Sequence, residues 1–106
     1  MDTISTEELV ELKNSGENFV LVDVLEKDHF NVGHIPGAVN IPLDQIATKA
    51  LEKYDKDKHL VLYCASKSCE ASPKAAKKLQ KLGFENITDY EVGLKGWKEA
   101  GNELES

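Results

Sequence analysis

The sequence predicts a single α/β domain over residues 1–106: a small, mainly parallel β-sheet flanked by helices on both faces. Three observations predict it. Residues 19–24 and 59–64 are apolar runs rich in valine, leucine and aromatics, too short for helices and apolar on both sides, as in strands covered on both faces. Stretches with helical spacing alternate with these runs. A chain of 106 residues suffices for one compact core and is too short for two.

The elements follow in order. Ser5 and Glu8, three residues apart, form a capping-box pattern ahead of Leu9, Val10 and Leu12, and Asn14-Ser15-Gly16 ends that helix. The strand at 19–24 stops near a polar residue, Asp23. Residues 26–32 suit two helical turns closed by Gly33. The next ten residues hold two prolines and two glycines and predict turns around a very short extended segment. Apolar residues at 43, 46, 47, 50, 51 and 54 have helical spacing.

The strand at 59–64 leads into a polar loop over 65–71. Ser72-Pro73 suggests an N-cap followed by proline at the first helical position. Ala75, Ala76, Leu79 and Leu82 mark the buried side of the helix that follows, and Gly83 ends it. A third strand is predicted within 84–90 around Ile87, then a short helix over 94–100 with Trp97 facing inward. The tail from Gly101 is expected to fray.

Charge and cysteine content narrow the function. The net charge is -6, which argues against a nucleic-acid partner, because phosphate neutralisation needs a basic surface. All 13 cationic residues are lysines. No apolar stretch approaches the roughly 20 residues of a membrane span, and no signal peptide is visible. Two cysteines five positions apart, Cys64 and Cys69, are neither a secreted disulfide framework nor a Cys-x-x-Cys pair. With three scattered histidines they make no metal set, and the expected chemistry calls for neither metal nor cofactor. The expected location is cytoplasmic. The oligomeric state is left open.

The informative stretch runs strand, cysteine, polar loop, helix. A cysteine at the carboxyl end of a strand is displayed at the crevice where open α/β sheets bind ligands. Inward backbone N–H groups of the loop and the positive end of the next helix are expected to lower the Cys64 thiol toward neutrality and to favour an anionic persulfide. On the residues alone a second reading stands beside this one: a buried small hydrophobe at the end of a core strand.

Four stretches resemble the rhodanese-like domain family. Leu21-Val22-Asp23-Val24 with Glu26, Asp28 and Phe30 is similar to its first motif, and residues 33–42, Gly33-His34-Ile35-Pro36-Gly37-Ala38-Val39-Asn40-Ile41-Pro42, to its GHIPGA-N-P stretch. Val61-Leu62-Tyr63-Cys64 sits where the family's nucleophile strand ends, and Gly93-Leu94-Lys95-Gly96-Trp97 resembles its closing Gly-x-x-x-Trp signature. The resemblance covers essentially the whole chain. It implies a sulfurtransferase of the thiosulfate (rhodanese) type, in which Cys64 takes a sulfane sulfur from a small donor as a persulfide. The sulfur then passes to cyanide, a thiol or a protein acceptor.

The same resemblance makes Ala65, Ser66, Lys67, Ser68, Cys69 and Glu70 the active-site loop. The chain departs from the family in three places. Cys69 falls at the usual basic position, the loop being two residues longer than usual if Ala71-Ser72 is aligned with the motif's end instead, Leu25 stands where an arginine is common, and Val92 replaces a glycine. Cys69 is a candidate resolving or redox residue, its alternative being a packed loop cysteine. Lys67 is a candidate attractor of anionic donors. Asp23 and His34 are read as structural, fixing loop backbone and the Pro/Gly-rich turn. Two other functions compete: a non-catalytic or redox-sensing module, and a phosphatase or arsenate reductase on the same fold. The absence of arginine weighs against the latter, since lysine offers no bidentate fork.

Overall fold

The computed structural model describes residues 2–106. Along the chain lie β1 (Asp2–Thr3), α1 (Thr6–Asn14), β2 (Phe19–Asp23), α2 (Lys27–Val32), β3 (Val39–Asn40), α3 (Ile46–Lys53), β4 (His59–Tyr63), α4 (Ala71–Lys81), β5 (Ile87–Asp89) and α5 (Gly93–Glu99). The strands form one sheet in the order β1-β5-β4-β2-β3, every pair parallel. The predicted α/β class and the helices on both faces are therefore observed.

The period of two along a strand divides the core. Leu60, Leu62 and Cys64 join Val22 and Val24 on one face, covered by Ile46 and Ala50 of α3 and Ala75, Ala76 and Leu79 of α4. Leu21, Val61 and Tyr63 point to the other face, against Leu9 of α1, Tyr90, and Trp97 of α5. Both central strands are thus apolar throughout because both of their sides are covered.

The capping box forms as expected: Glu8 N–H donates to Ser5 Oγ at 3.1 Å, and Ser5 N–H donates to Glu8 Oε1 at 2.9 Å. Four expectations differ from the structure. Strand β1 was not foreseen. The helix predicted from 43 opens as a single 3-10 turn, Leu43–Gln45, before α3 begins. Helix α4 starts at Ala71, so Ser72 is not its N-cap but a buried residue of its first turn. Its hydroxyl is engaged elsewhere, as described below.

The tail does not fray. His34 and Glu105 exchange backbone hydrogen bonds of 2.8 Å each, and Trp97 Nε1–H donates to the carbonyl of Glu103 at 2.8 Å. Leu104 packs against the second core cluster. Apolar and backbone contacts together offset the entropy of ordering these residues.

Candidate active site

Strand β2 leads outward to β3, and β4 leads to β5 on the other side, so the connections diverge between β2 and β4. The carboxyl ends of such neighbouring strands open a crevice. Asp23 ends β2, Cys64 directly follows β4, and Asp89 ends β5. All three are buried.

Glycine makes the approach of the last helix possible. Gly93 has φ +60, and a Cβ there would stand 2.2 Å from the Cys64 carbonyl oxygen. The close contact lets Leu94 N–H donate to the Cys64 carbonyl at 3.0 Å and Lys95 N–H to the Ala65 carbonyl at 2.9 Å. The first turn of α5 therefore fixes the backbone on which Cys64 sits. Val92, the departure from the usual glycine, lays its side chain over Gly96, where a Cβ would come within 2.3 Å of it.

Cys64 is 1% exposed. Its sulfur lies 3.5 Å from the Cys69 carbonyl and 3.5 Å from Ser72 Oγ. Burial pushes the Cys64 thiol up, and a hydrogen bond shared with the Cys69 thiol adds to the rise. The Ser72 hydroxyl and N–H pull the other way without overcoming it. This corrects the expectation that the loop would lower Cys64: desolvation of a buried anion exceeds the help of its two donors.

The loop's inward N–H groups serve Cys69 instead. Its own burial works against ionisation, but the bond from Cys64 and the N–H groups of Ala71 and Ala65 prevail, holding the Cys69 thiol below its ordinary value. Cys69 is half-buried and its N–H donates to the Ser66 carbonyl at 3.0 Å, closing a turn. The structure thus brings Cys64 and Cys69 together.

The remaining loop residues face outward. Ala65, Lys67, Ser68 and Glu70 are exposed, Ser66 half-buried. Ser66 and Ser68 hydroxyls bond each other at 3.0 Å, and Glu70 stands 3.9 Å from Lys74. Lys67 borders a shallow cleft with Ser66, Ser68 and Lys95. A larger cleft, of about 630 Å³, opens beside Ala65 and is lined in part by Leu25, His29, Val32, Leu94, Lys95 and Lys98. Its charged lining is Lys95, Lys98 and the opposing carboxylate of Glu99, set among apolar walls. Leu25, in the usual arginine position, contributes an apolar wall there.

Two participants escaped the sequence reading. Ser72 appeared as a helix cap, and Asp89 as part of a strand. The Asp89 carboxyl bonds the Ser72 hydroxyl, while its Oδ1 has no partner. Burial raises it, Ser72 opposes, and Glu91 adds to the rise. No sequence signal distinguishes a strand-end aspartate that faces a serine on the next helix.

Asp23 and His34 keep their structural reading. Asp23 Oδ1 accepts the Leu25 N–H at 2.9 Å, and burial raises its carboxyl against the pull of Leu25, Tyr63, His34 and His29. His34 stacks on Phe30 at 3.8 Å and its Nδ1 lies 3.0 Å from the Phe30 carbonyl. The Tyr63 hydroxyl accepts the Ile35 N–H at 3.1 Å, tying the Pro/Gly-rich turn to β4.

Comparison with known proteins bears on the family and the fold. The chain is 34% identical over 100 residues to an HTH-type transcriptional regulator of Mycobacterium tuberculosis, Rv0324, covering 94% of this chain and 43% of that protein. It is 35% identical over 77 residues to the adenylyltransferase and sulfurtransferase uba4 of Ogataea parapolymorpha, covering 73% of this chain and 19% of that protein. The chain thus spans less than half the length of either relative. A solution structure of a rhodanese-like domain from Anabaena sp. superposes with a TM-score of 0.90 at 26% identity, covering 100% of this chain and 80% of that one. The rhodanese-like domain profile matches residues 5–100, and the chain belongs to that family.

Proposed function

We propose that this protein is a sulfurtransferase that carries sulfane sulfur as a persulfide on Cys64. One observation carries the reading: Cys64 stands at the crevice between β2 and β4, its thiol donating to the Ser72 hydroxyl oxygen at 3.5 Å and the Ser72 N–H directed at its sulfur. Once the sulfur is anionic the N–H and the hydroxyl, turned toward it, both serve as donors, which suits a persulfide anion. No proton acceptor beyond the sulfur itself is required for transfer. The sulfurtransferase named among the relatives supports the same class of reaction.

The donor is a small sulfane compound such as thiosulfate, and the acceptor cyanide, a thiol or a protein. Lys67, Lys95 and Lys98 border the clefts beside the loop and attract an anionic donor as point charges. Net charge -6 favours no nucleic-acid partner. Among the described residues no helix is long and apolar enough to cross a membrane, and the setting proposed is the reducing cytoplasm, where free thiols persist.

A second reading has its own support. The hydrogen bond between the Cys64 and Cys69 thiols, together with the transcriptional regulator among the relatives, fits a module that registers oxidants. Turnover separates the two. The protein is incubated with several sulfane donors and then cyanide, and its mass and peptides are followed. One added sulfur mapping to the Cys64 peptide, absent from that peptide in a folded Cys64→Ser variant, and thiocyanate formation by the unmutated protein are expected. A protein that takes up no sulfur from any donor refutes the transferase and leaves the sensing module.

A further inference from the structure

Cys64 and Cys69 meet within one loop, Cys64 Sγ lying 3.5 Å from the Cys69 carbonyl, but they meet the solvent differently. Cys64 is 1% exposed and counts among the buried residues of the α3/α4 face. Cys69 is half-buried and packs only at the margin of that cluster. Its sulfur is also the one that receives the loop N–H groups of Ala65 and Ala71. A dissolved anion approaching the loop meets an open thiol in a ring of donors before it meets the enclosed one.

We propose that Cys69 is the thiol that exchanges sulfur with dissolved donors and acceptors, and that Cys64 is the enclosed site it loads. The inference rests on the Cys64 persulfide reading and adds a second catalytic sulfur to it.

Both steps balance. The Cys69 thiolate attacks the sulfane sulfur of the donor; a bond forms between them, the donor's bond to that sulfur breaks, and its electron pair leaves with the remnant, which is sulfite when the donor is thiosulfate. Cys64 then attacks the outer sulfur of the Cys69 persulfide. The new bond joins Cys64 to that sulfur, the bond to Cys69 breaks, Cys69 departs as a thiolate, and the Cys64 proton ends on the terminal sulfur. One sulfur atom has moved, and no outside oxidant or reductant is consumed. Discharge reverses the second step, and the acceptor then removes the outer sulfur from Cys69.

The supporting asymmetry is electrostatic as well as steric. Attack on a dissolved donor requires a thiolate, and the surroundings favour it at Cys69 and disfavour it at Cys64; in the second step the Cys64 thiol gives its proton to the terminal sulfur of the persulfide as it attacks. The 3.5 Å contact between Cys64 Sγ and the Cys69 carbonyl also sets the acceptor of the second step beside the residue that donates.

The test uses the unmutated protein, Cys64→Ser, Cys69→Ser and Cys69→Ala, each mixed with thiosulfate, quenched over time, and read by intact mass and peptide mapping. In the unmutated protein, sulfur is expected to accumulate on Cys64. In Cys64→Ser it should appear on Cys69 and be removed quickly by cyanide. In both Cys69 variants, Cys64 should load at least about tenfold more slowly, since each pKa unit between attacking thiols changes the thiolate fraction tenfold. Circular dichroism of each variant keeps the comparison to folded protein. Loading of Cys64 at the unmutated rate in both Cys69 variants overturns the relay while leaving the Cys64 persulfide intact. So does a Cys64→Ser variant that never acquires sulfur on Cys69. Failure of the unmutated protein to take sulfur on either thiol defeats the persulfide reading itself.

Discussion

The hydroxyl of Ser72 stands 3.5 Å from the sulfur of Cys64, and behind it the same hydroxyl meets the buried carboxyl of Asp89. A helix residue thereby links the candidate nucleophile to an acid on the adjacent strand. Ser72→Ala removes one of the two donors that favour anionic sulfur at Cys64. The expected result is a further rise of the Cys64 thiol and about a tenfold or greater loss of transfer rate, on the scale of about 1.5 to 3 kcal/mol for a hydrogen bond to a charged group. Alkylation rate against pH, measured in a Cys69→Ser background so that one thiol reports, checks the direction. An unchanged titration would remove Ser72 from the site.

Gly93→Ala tests the clamp between α5 and the loop. The substitution sets a methyl group against the Cys64 carbonyl oxygen at a backbone angle that side chains rarely adopt. A loss of about 2 kcal/mol or more is expected, from left-handed strain plus displacement of the two N–H bonds to Cys64 and Ala65. Urea unfolding gives the stability, and thiocyanate formation shows whether the site moves with it.

Tyr63→Phe removes the acceptor for the buried Ile35 N–H. That donor lies between β4 and the turn at 33–38, where water is excluded. A destabilisation of about 1 to 3 kcal/mol is expected, as for an unsatisfied buried group. Faster amide exchange at Ile35 would locate the damage; unchanged exchange would show that another group has taken over.

Asp23 and Asp89 predict a pH dependence of known sign. Burial raises both carboxyls above their unfolded values, so the folded state binds these protons more tightly than the unfolded chain does. Their contribution is fully present below the ordinary aspartate range and is lost as pH rises through the raised folded values. On going from about pH 8 to about pH 3.5, just below the ordinary aspartate value, the unmutated protein should therefore gain stability relative to Asp23→Asn and to Asp89→Asn, whose amides do not titrate. Urea unfolding at the two pH values gives the comparison. Parallel profiles would contradict the raised carboxyls.

Much of this architecture is written in local pattern. The apolar runs ending at Asp23 and Cys64 are long enough for a two-sided strand to be recognised, and Ser5 with Glu8 states a helix start outright. Strand β1 escapes because Asp2 and Thr3 carry no apolar pattern; only their backbone pairing with Thr88 and Asp89 makes them a strand. Ser72 misleads because the same hydroxyl that caps one helix can face a sulfur in another, and the choice depends on how α4 meets β4. The titration of the two thiols was illegible for a related reason: which sulfur collects the loop N–H groups depends on the loop's curl, not on its composition.

The outermost strands, β1 and β3, are two residues each among the described residues, while the apolar strands β2 and β4 have neighbours on both sides. β4 lies between β2 and β5, both longer than the outermost strands, and the end of β2 at Val22 and Asp23 is covered by β3, while the terminal strands themselves are too short to template a growing fibril. Ending the sheet on its two shortest members leaves a foreign chain few backbone groups to pair with at either outer edge.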